Sequence, residues 1–129
     1  MSGRFLLDTN IIIALWVNDE AITNQLATAS EVFVSSITLG ELYYGARKST
    51  WSAKNMARID DFAARSRILL CDLTTAQNYG QIKNALRAKG RPIPENDLWI
   101  AAIAVQHGLT LVTRDDHFSA IDGLPTAKW

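Results

Sequence analysis

Four acidic residues stand where a sheet-based fold would place chemistry. Asp8 directly follows the short apolar run Phe5-Leu6-Leu7, and Asp115 follows a second run, Leu109 to Val112, after Thr113 and Arg114. Asp97 lies just ahead of the apolar stretch Leu98 to Val105, and Glu41 sits a turn or so beyond Val32-Phe33-Val34. Carboxylates are hard oxygen ligands, which select Mg²⁺ or Mn²⁺ over Zn²⁺. The single cysteine, Cys71, rules out a zinc site of the thiolate type. Like charges held within a few ångströms repel and raise one another's pKa, so a site that gathers four of them calls for a cation. A divalent ion on carboxylates polarises phosphoryl oxygens and lowers the pKa of bound water, and two ions about 4 Å apart clamp both the attacking and the leaving oxygen. The chemistry these residues point to is attack of water on a phosphodiester.

Convergence of the four acids depends on the elements that carry them. Phe5-Leu6-Leu7, Val32-Phe33-Val34, Ile68-Leu69-Leu70 and Leu109 to Val112 read as short buried strands, and Thr126-Ala127-Lys128 as a short edge strand. Between them lie helical patterns. Ile11 to Trp16 follow a cap at Thr9 or Asn10, and Asp19 caps a helix with Ile22, Leu26 and Ala29 on one face. Ser35 or Ser36 opens a helix with Leu39, Leu42, Tyr43 and Ala46 on one face, and Met56, Ile59, Phe62 and Ala63 mark the next. Thr74 and Gln77 have capping-box spacing ahead of Tyr79, Ile82 and Leu86, with Gly90 and Pro92 ending that helix. Asn96 reads as the cap of the nearly all-apolar helix that Gly108 stops. Strands alternating with helices predict a parallel sheet covered on both faces. In such sheets, sites lie beyond the carboxyl ends of the strands, where all four acids would meet. Each acid also has an ordinary structural role open to it: a helix cap for Asp8, a capping box with Thr38 for Glu41, the helix dipole for Asp97 and a polar turn for Asp115-Asp116.

With 129 residues the chain is expected to form one domain over 1–129. One cysteine suits a reducing compartment. The longest apolar run, Ile11 to Val17, is far short of the roughly 18 residues a membrane span needs, and Asp8, Thr9 and Asn10 interrupt the leader-like start, so a cytoplasmic protein is expected. Thirteen basic residues balance thirteen acidic ones, but unevenly: residues 47 to 91 carry ten basic and three acidic side chains, a net +7, and the remainder a net −7. A polyanion would favour the first block and a cation the second. Lys83, Arg87 and Lys89, on the polar side of the helix opened at Thr74, are the candidate phosphate contacts. His107 reads as a helix-end residue, His117 as a surface residue near Asp115 that could touch a substrate phosphate, and Tyr43, Tyr44 and Trp99 as core or dimer packing in preference to base stacking on a single strand.

Four motifs, in order, resemble PIN-domain ribonucleases of the VapC type, the toxins of bacterial toxin–antitoxin pairs. They are Leu7-Asp8-Thr9-Asn10, Glu41-Leu42-Tyr43-Tyr44-Gly45, Pro94 to Ala102 and Leu111 to Phe118. The resemblance implies a three-layer α/β/α sandwich with a parallel sheet of four or five strands, and Mg²⁺- or Mn²⁺-dependent cleavage of RNA by an endoribonuclease. It implies Asp8, Glu41, Asp97 and Asp115 as the catalytic and metal-binding acids. Thr9, Asn10, Asn96 and Thr113 match polar positions that orient ligands or waters, and Asp116 competes with Asp115 for the inward place. A homodimer is implied, as is a small antitoxin that sets an arginine in the acidic pocket and is itself the part that binds operator DNA. Receiver domains carry paired acids at the end of the first strand and haloacid-dehalogenase-like phosphatases an Asp two residues after the first. Leu6-Leu7 and Asn10 stand at those places here, which disfavours both. The remaining alternatives are a catalytically silent PIN-like interaction domain and a nuclease acting on DNA.

Overall fold

The computed structural model describes residues 3–129; Met1 and Ser2, the first residues of the leader-like start, lie outside the described residues. Five strands form one parallel sheet: β1 (Arg4–Leu7), β2 (Glu31–Ser35), β3 (Arg67–Leu69), β4 (Thr110–Val112) and β5 (Thr126–Ala127). Their order in the sheet is β3-β2-β1-β4-β5. Helices α1 (Thr9–Trp16) and α2 (Glu20–Thr28) link β1 to β2, and α3 (Ser36–Lys48) and α4 (Ser52–Ala64) link β2 to β3. Helices α5 (Leu73–Ala88) and α6 (Glu95–His107) precede β4, and a short 3₁₀ helix, Asp116–Ala120, precedes β5.

Alternation along the strands divides the interior into two layers. Successive side chains of a strand point to opposite faces. Leu6 and Leu111 therefore join Ile82, Leu86, Ile100, Ile103 and Phe118 under α5 and α6. Leu7, Val34 and Val112 join Ile11, Ile12, Ile22, Leu39, Leu42 and Ile59 under α1 to α4. This is the predicted α/β/α sandwich. Helix α6 is buried at Leu98 and at every residue from Ile100 to Ala104, as its apolar sequence implies.

The caps differ from the sequence reading in four places. Helix α1 is capped by Asp8, whose carboxylate accepts the Thr9 N–H, rather than by Thr9 or Asn10. Helix α5 starts from Asp72, whose carboxylate accepts the Thr75 N–H while the Thr75 hydroxyl accepts the Asp72 N–H; this reciprocal box displaces the Thr74–Gln77 pair. Helix α6 has Pro94 at its N-cap and no side-chain cap, and Asn96 already lies in its first turn. Ser35 caps α3 by accepting the Thr38 N–H, which leaves Glu41 inside the helix instead of in a capping box. Strand β3 ends at Leu69, leaving Leu70 66% exposed beyond the sheet. Gly108 stops α6 with φ of 64°, a backbone conformation that glycine adopts without steric cost.

Candidate active site

Strand order reverses next to β1. From β1 the chain moves outward through β2 to β3, then returns through α5 and α6 to pair β4 on the other side of β1. The carboxyl ends of β1 and β4 thus flank a topological switch point, the usual ligand crevice of such sheets.

Asp8 closes β1 and is 5% exposed. Its Oδ1 accepts the Thr9 N–H at 2.9 Å, and its Oδ2 accepts the Thr113 hydroxyl at 2.7 Å and the Asn10 amide at 3.3 Å. Three donors therefore hold one buried carboxylate in place. Thr113 also accepts the Asp115 N–H at 3.0 Å, so one buried hydroxyl ties the end of β4 to the end of β1. Glu41 comes from α3; the Thr9 hydroxyl donates to its Oε1 at 2.7 Å. Asp97 reaches the same place from the first turn of α6.

His117 completes the group. Its Nδ1 lies 3.2 Å from Asp97 Oδ2 and 3.1 Å from Asp115 Oδ1. The sequence reading left this histidine on the surface. Its side chain is indeed half exposed, but Asp115 caps the 3₁₀ helix by accepting the His117 N–H, and that turn aims the ring back at the acids. The Asp-x-His spacing ahead of the buried Phe118 is the only signal the sequence held for it.

Burial is the main reason that Asp8 holds its proton above the usual carboxylate range; the Thr113 and Thr9 hydrogen bonds oppose it, and the charges of Glu41 and Asp115 add to it. Burial likewise raises Asp97, against the hydrogen bond from His117 and with the charges of Asp8 and Asp115. The charges of Glu41 and Asp115 at Asp8, and of Asp8 and Asp115 at Asp97, are the electrostatic mark of convergence. One ligand atom each of Asp97, Asp115 and His117 lie within 4.8 Å of one another. Ligands around an ion with bonds of about 2.1 Å stand about 3.0 to 4.2 Å apart, and the two distances from His117 Nδ1, 3.2 and 3.1 Å, fall in that range. The carboxylate oxygens suit Mg²⁺ and Mn²⁺, and the imidazole beside them favours Mn²⁺ over Mg²⁺.

A pH dependence follows. In the unfolded chain both aspartates titrate near 3.8. A folded pKa raised above that value gives stability that is full below 3.8 and is lost as pH rises through the folded value. Asp19, Asp72 and Glu95 are shifted downward and act in the opposite sense, so the readout is a difference. In chelator, wild type should lose melting temperature relative to the Asp8→Asn/Asp97→Asn double variant as pH is raised from about 4 toward neutrality. Parallel pH profiles for the two proteins would contradict the shifts.

The other residues singled out by sequence divide. Thr9, Asn10 and Thr113 contact the acids directly, and the Asn10 side chain also accepts the Arg114 N–H at 3.3 Å. Asn96 is exposed and lies across a groove from Glu41. Asp116 is turned outward, its side chain 92% exposed and 3.4 Å from Lys128, so Asp115 takes the inward place. Lys83 pairs with Glu95 at 3.1 Å and Lys89 with Asp122 at 2.9 Å, both on the α5 side of the molecule. His107 stands in the last turn of α6, as expected. Tyr43 donates to Asp60, and Trp99 stacks on Tyr79 with centroids 4.0 Å apart. Tyr44 lies outside the core: it is 64% exposed.

Comparison with known proteins agrees with this fold. The PIN domain profile matches residues 5–124. The chain belongs to the PIN-domain family. Within that family it sits among the VapC ribonucleases. Ribonuclease VapC2 of Haemophilus influenzae is 40% identical over 129 residues, 98% of each chain. The tRNA(fMet)-specific endonuclease VapC of Shigella flexneri is 37% identical, again over 98% of each. The crystal structure of DNA-bound VapBC from Salmonella typhimurium matches with a TM-score of 0.90 at 36% identity, covering 98% of both chains. VapBC2 from Rickettsia felis, bound to a promoter DNA fragment, matches with a TM-score of 0.88 at 32% identity, covering 100% of this chain and 99% of that one. The PIN fold thus comes from sequence, geometry and kinship alike. Among the described residues no helix is long and apolar enough to cross a membrane.

Proposed function

We propose that this VapC-type PIN domain, acting as one unit over residues 1–129, is an endoribonuclease whose divalent cation is held by Asp97, Asp115 and His117 beside Asp8 and Glu41. The observation that carries this reading is the meeting of Asp8, Glu41, Asp97 and Asp115 from four separate elements at the switch point. When bound, Mg²⁺ or Mn²⁺ supplies charge stabilisation at the phosphoryl oxygens and lowers the pKa of water. The chain does the rest. Asp8, fixed by three donors, supplies negative charge at a set position. Glu41 has Oε1 engaged by Thr9, which leaves Oε2 to take a proton from attacking water. Lys83 and Arg87 on α5, and Lys89 at its C-cap, are remote contacts for the rest of the RNA polyanion.

The same reading makes this chain the toxin of a toxin–antitoxin pair. A groove of about 230 Å³ runs between α1, α3 and α4, lined by Ile13, Trp16, Leu42 and Ile59 with Glu41 and Arg58 beside them. Ile13 is 51% exposed there, beside the buried Ile11, Ile12 and Ala14 of the same helix. An apolar segment of a small antitoxin fits this groove, and a basic side chain on it reaches the acids past Glu41. The antitoxin, not this chain, would hold operator DNA, and the toxin would pair as a homodimer. The substrate class is tested by offering purified protein RNA and DNA oligonucleotides of the same sequence with Mn²⁺. Cleavage of RNA alone is expected; cleavage of DNA at an equal rate would contradict it.

A further inference from the structure

Glu95 and Asp122 take up Lys83 and Lys89, which leaves open what grips the nucleotide beside the scissile bond. A second groove answers this. It has a volume of about 650 Å³ and follows α3, with Gly40, Glu41, Tyr44, Gly45 and Lys48 on one side and Asn96 across it. Glu41 belongs both to this groove and to the acidic site, so the two are continuous.

The groove carries what single-stranded RNA needs. Tyr44 is exposed and makes no hydrogen bond among the described residues, whereas its neighbour Tyr43 is half-buried and bonded to Asp60. Lys48 Nζ stands 4.4 Å from the centre of the Tyr44 ring and has no ion pair among the described residues, unlike Lys83 and Lys89. An aromatic face beside an unneutralised cation is the usual platform for a base and its phosphate. Gly40 and Gly45 are exposed within a helix, where glycine is unfavourable, and an added Cβ at either would meet nothing within 4 Å. Packing therefore does not require them, and a glycine there lets a ligand come close to the helix backbone.

We infer that this groove is a nucleotide subsite of the RNA, with Tyr44 stacking the base and Lys48 contacting a phosphate. The inference rests on the ribonuclease reading above. Its test is the binding of a fluorescently labelled single-stranded RNA to Asp8→Asn protein, which binds without cutting, across a salt series. Tyr44→Ala should weaken binding about tenfold and Tyr44→Phe should leave it within about twofold, because stacking needs the ring and not the hydroxyl. Lys48→Gln should lower the salt slope by about one. In protein with Asp8 restored, Tyr44→Ala should raise KM more than it lowers kcat. Gly40→Ala should raise the melting temperature while weakening RNA binding, a split that a purely structural glycine does not produce. Unchanged RNA affinity in Tyr44→Ala overturns the subsite. A change in sedimentation with unchanged affinity per protomer also overturns it and assigns the face to contact between copies. Failure of the unaltered protein to bind or cut any RNA overturns the ribonuclease reading itself, and the subsite with it.

Discussion

Asp8→Asn and Asp97→Asn should each lower RNA cleavage by at least about 100-fold while leaving the fold intact. The amide keeps the size of the carboxylate and removes the charge that holds a cation. In Asp8→Asn the side chain keeps an acceptor for the Thr9 N–H or the Thr113 hydroxyl, so the junction of β1 and β4 survives. In Asp97→Asn the charge-assisted bond with His117 is lost, but that ring keeps Asp115. Asp116→Asn is the matching control, because its side chain points to Lys128 in solvent and should leave cleavage unchanged. Circular dichroism and cleavage of total RNA, measured on the same preparations, check all three. Full activity in Asp8→Asn and Asp97→Asn would remove the acids from the chemistry, and loss in Asp116→Asn alone would move the site outward.

Cation binding should also stabilise the protein, by RT ln(1 + [L]/Kd), about 2.7 kcal/mol at a hundredfold excess over Kd. For a chain of this size that corresponds to a rise in melting temperature of about 10 °C. Without metal, Asp97→Asn should itself melt higher than wild type. Asp97 is raised by burial first and then by the charges of Asp8 and Asp115, so its ionised form is unfavourable in the empty fold near neutral pH. The two treatments relieve the same repulsion and should be less than additive. Thermal melts of both proteins, each titrated with Mn²⁺, read this out. A wild type without a metal-dependent shift, together with a destabilised Asp97→Asn, would mean that the carboxylates do not act on one another.

Most of the fold was legible from sequence because its determinants are local. The short apolar runs Phe5 to Leu7 and Leu109 to Val112, together with the all-apolar run of α6, decide which surfaces must be buried. Strands joined by helices then leave little choice but a parallel sheet. The four acids were legible because each follows a strand closely or lies near the start of a helix beyond one. The helix starts were less so. Asp, Ser and Thr stand close together ahead of α1, α3 and α5, and only the backbone geometry decides which of them accepts the N–H. The directions of His117 and Tyr44 were not legible for a related reason. A histidine after a polar turn and a tyrosine beside another tyrosine carry no periodicity that says which way they face. The Asp115 cap aims the first at the acids, and the bond from Tyr43 to Asp60 leaves the second outward. Charge counting located a basic block but not its partners: Glu95 and Asp122, distant in sequence, take up Lys83 and Lys89.

The central claim is that a cation held by these acids makes the chain cut RNA. Its most direct test strips the protein with chelator, incubates it with total RNA, restores Mn²⁺ or Mg²⁺ and maps the new 5′ and 3′ ends, with Asp97→Asn treated in parallel. Discrete cuts that appear only when metal is restored, and only with Asp97 intact, are the expected result. Cuts that persist in chelator, or that Asp97→Asn makes equally well, would contradict it.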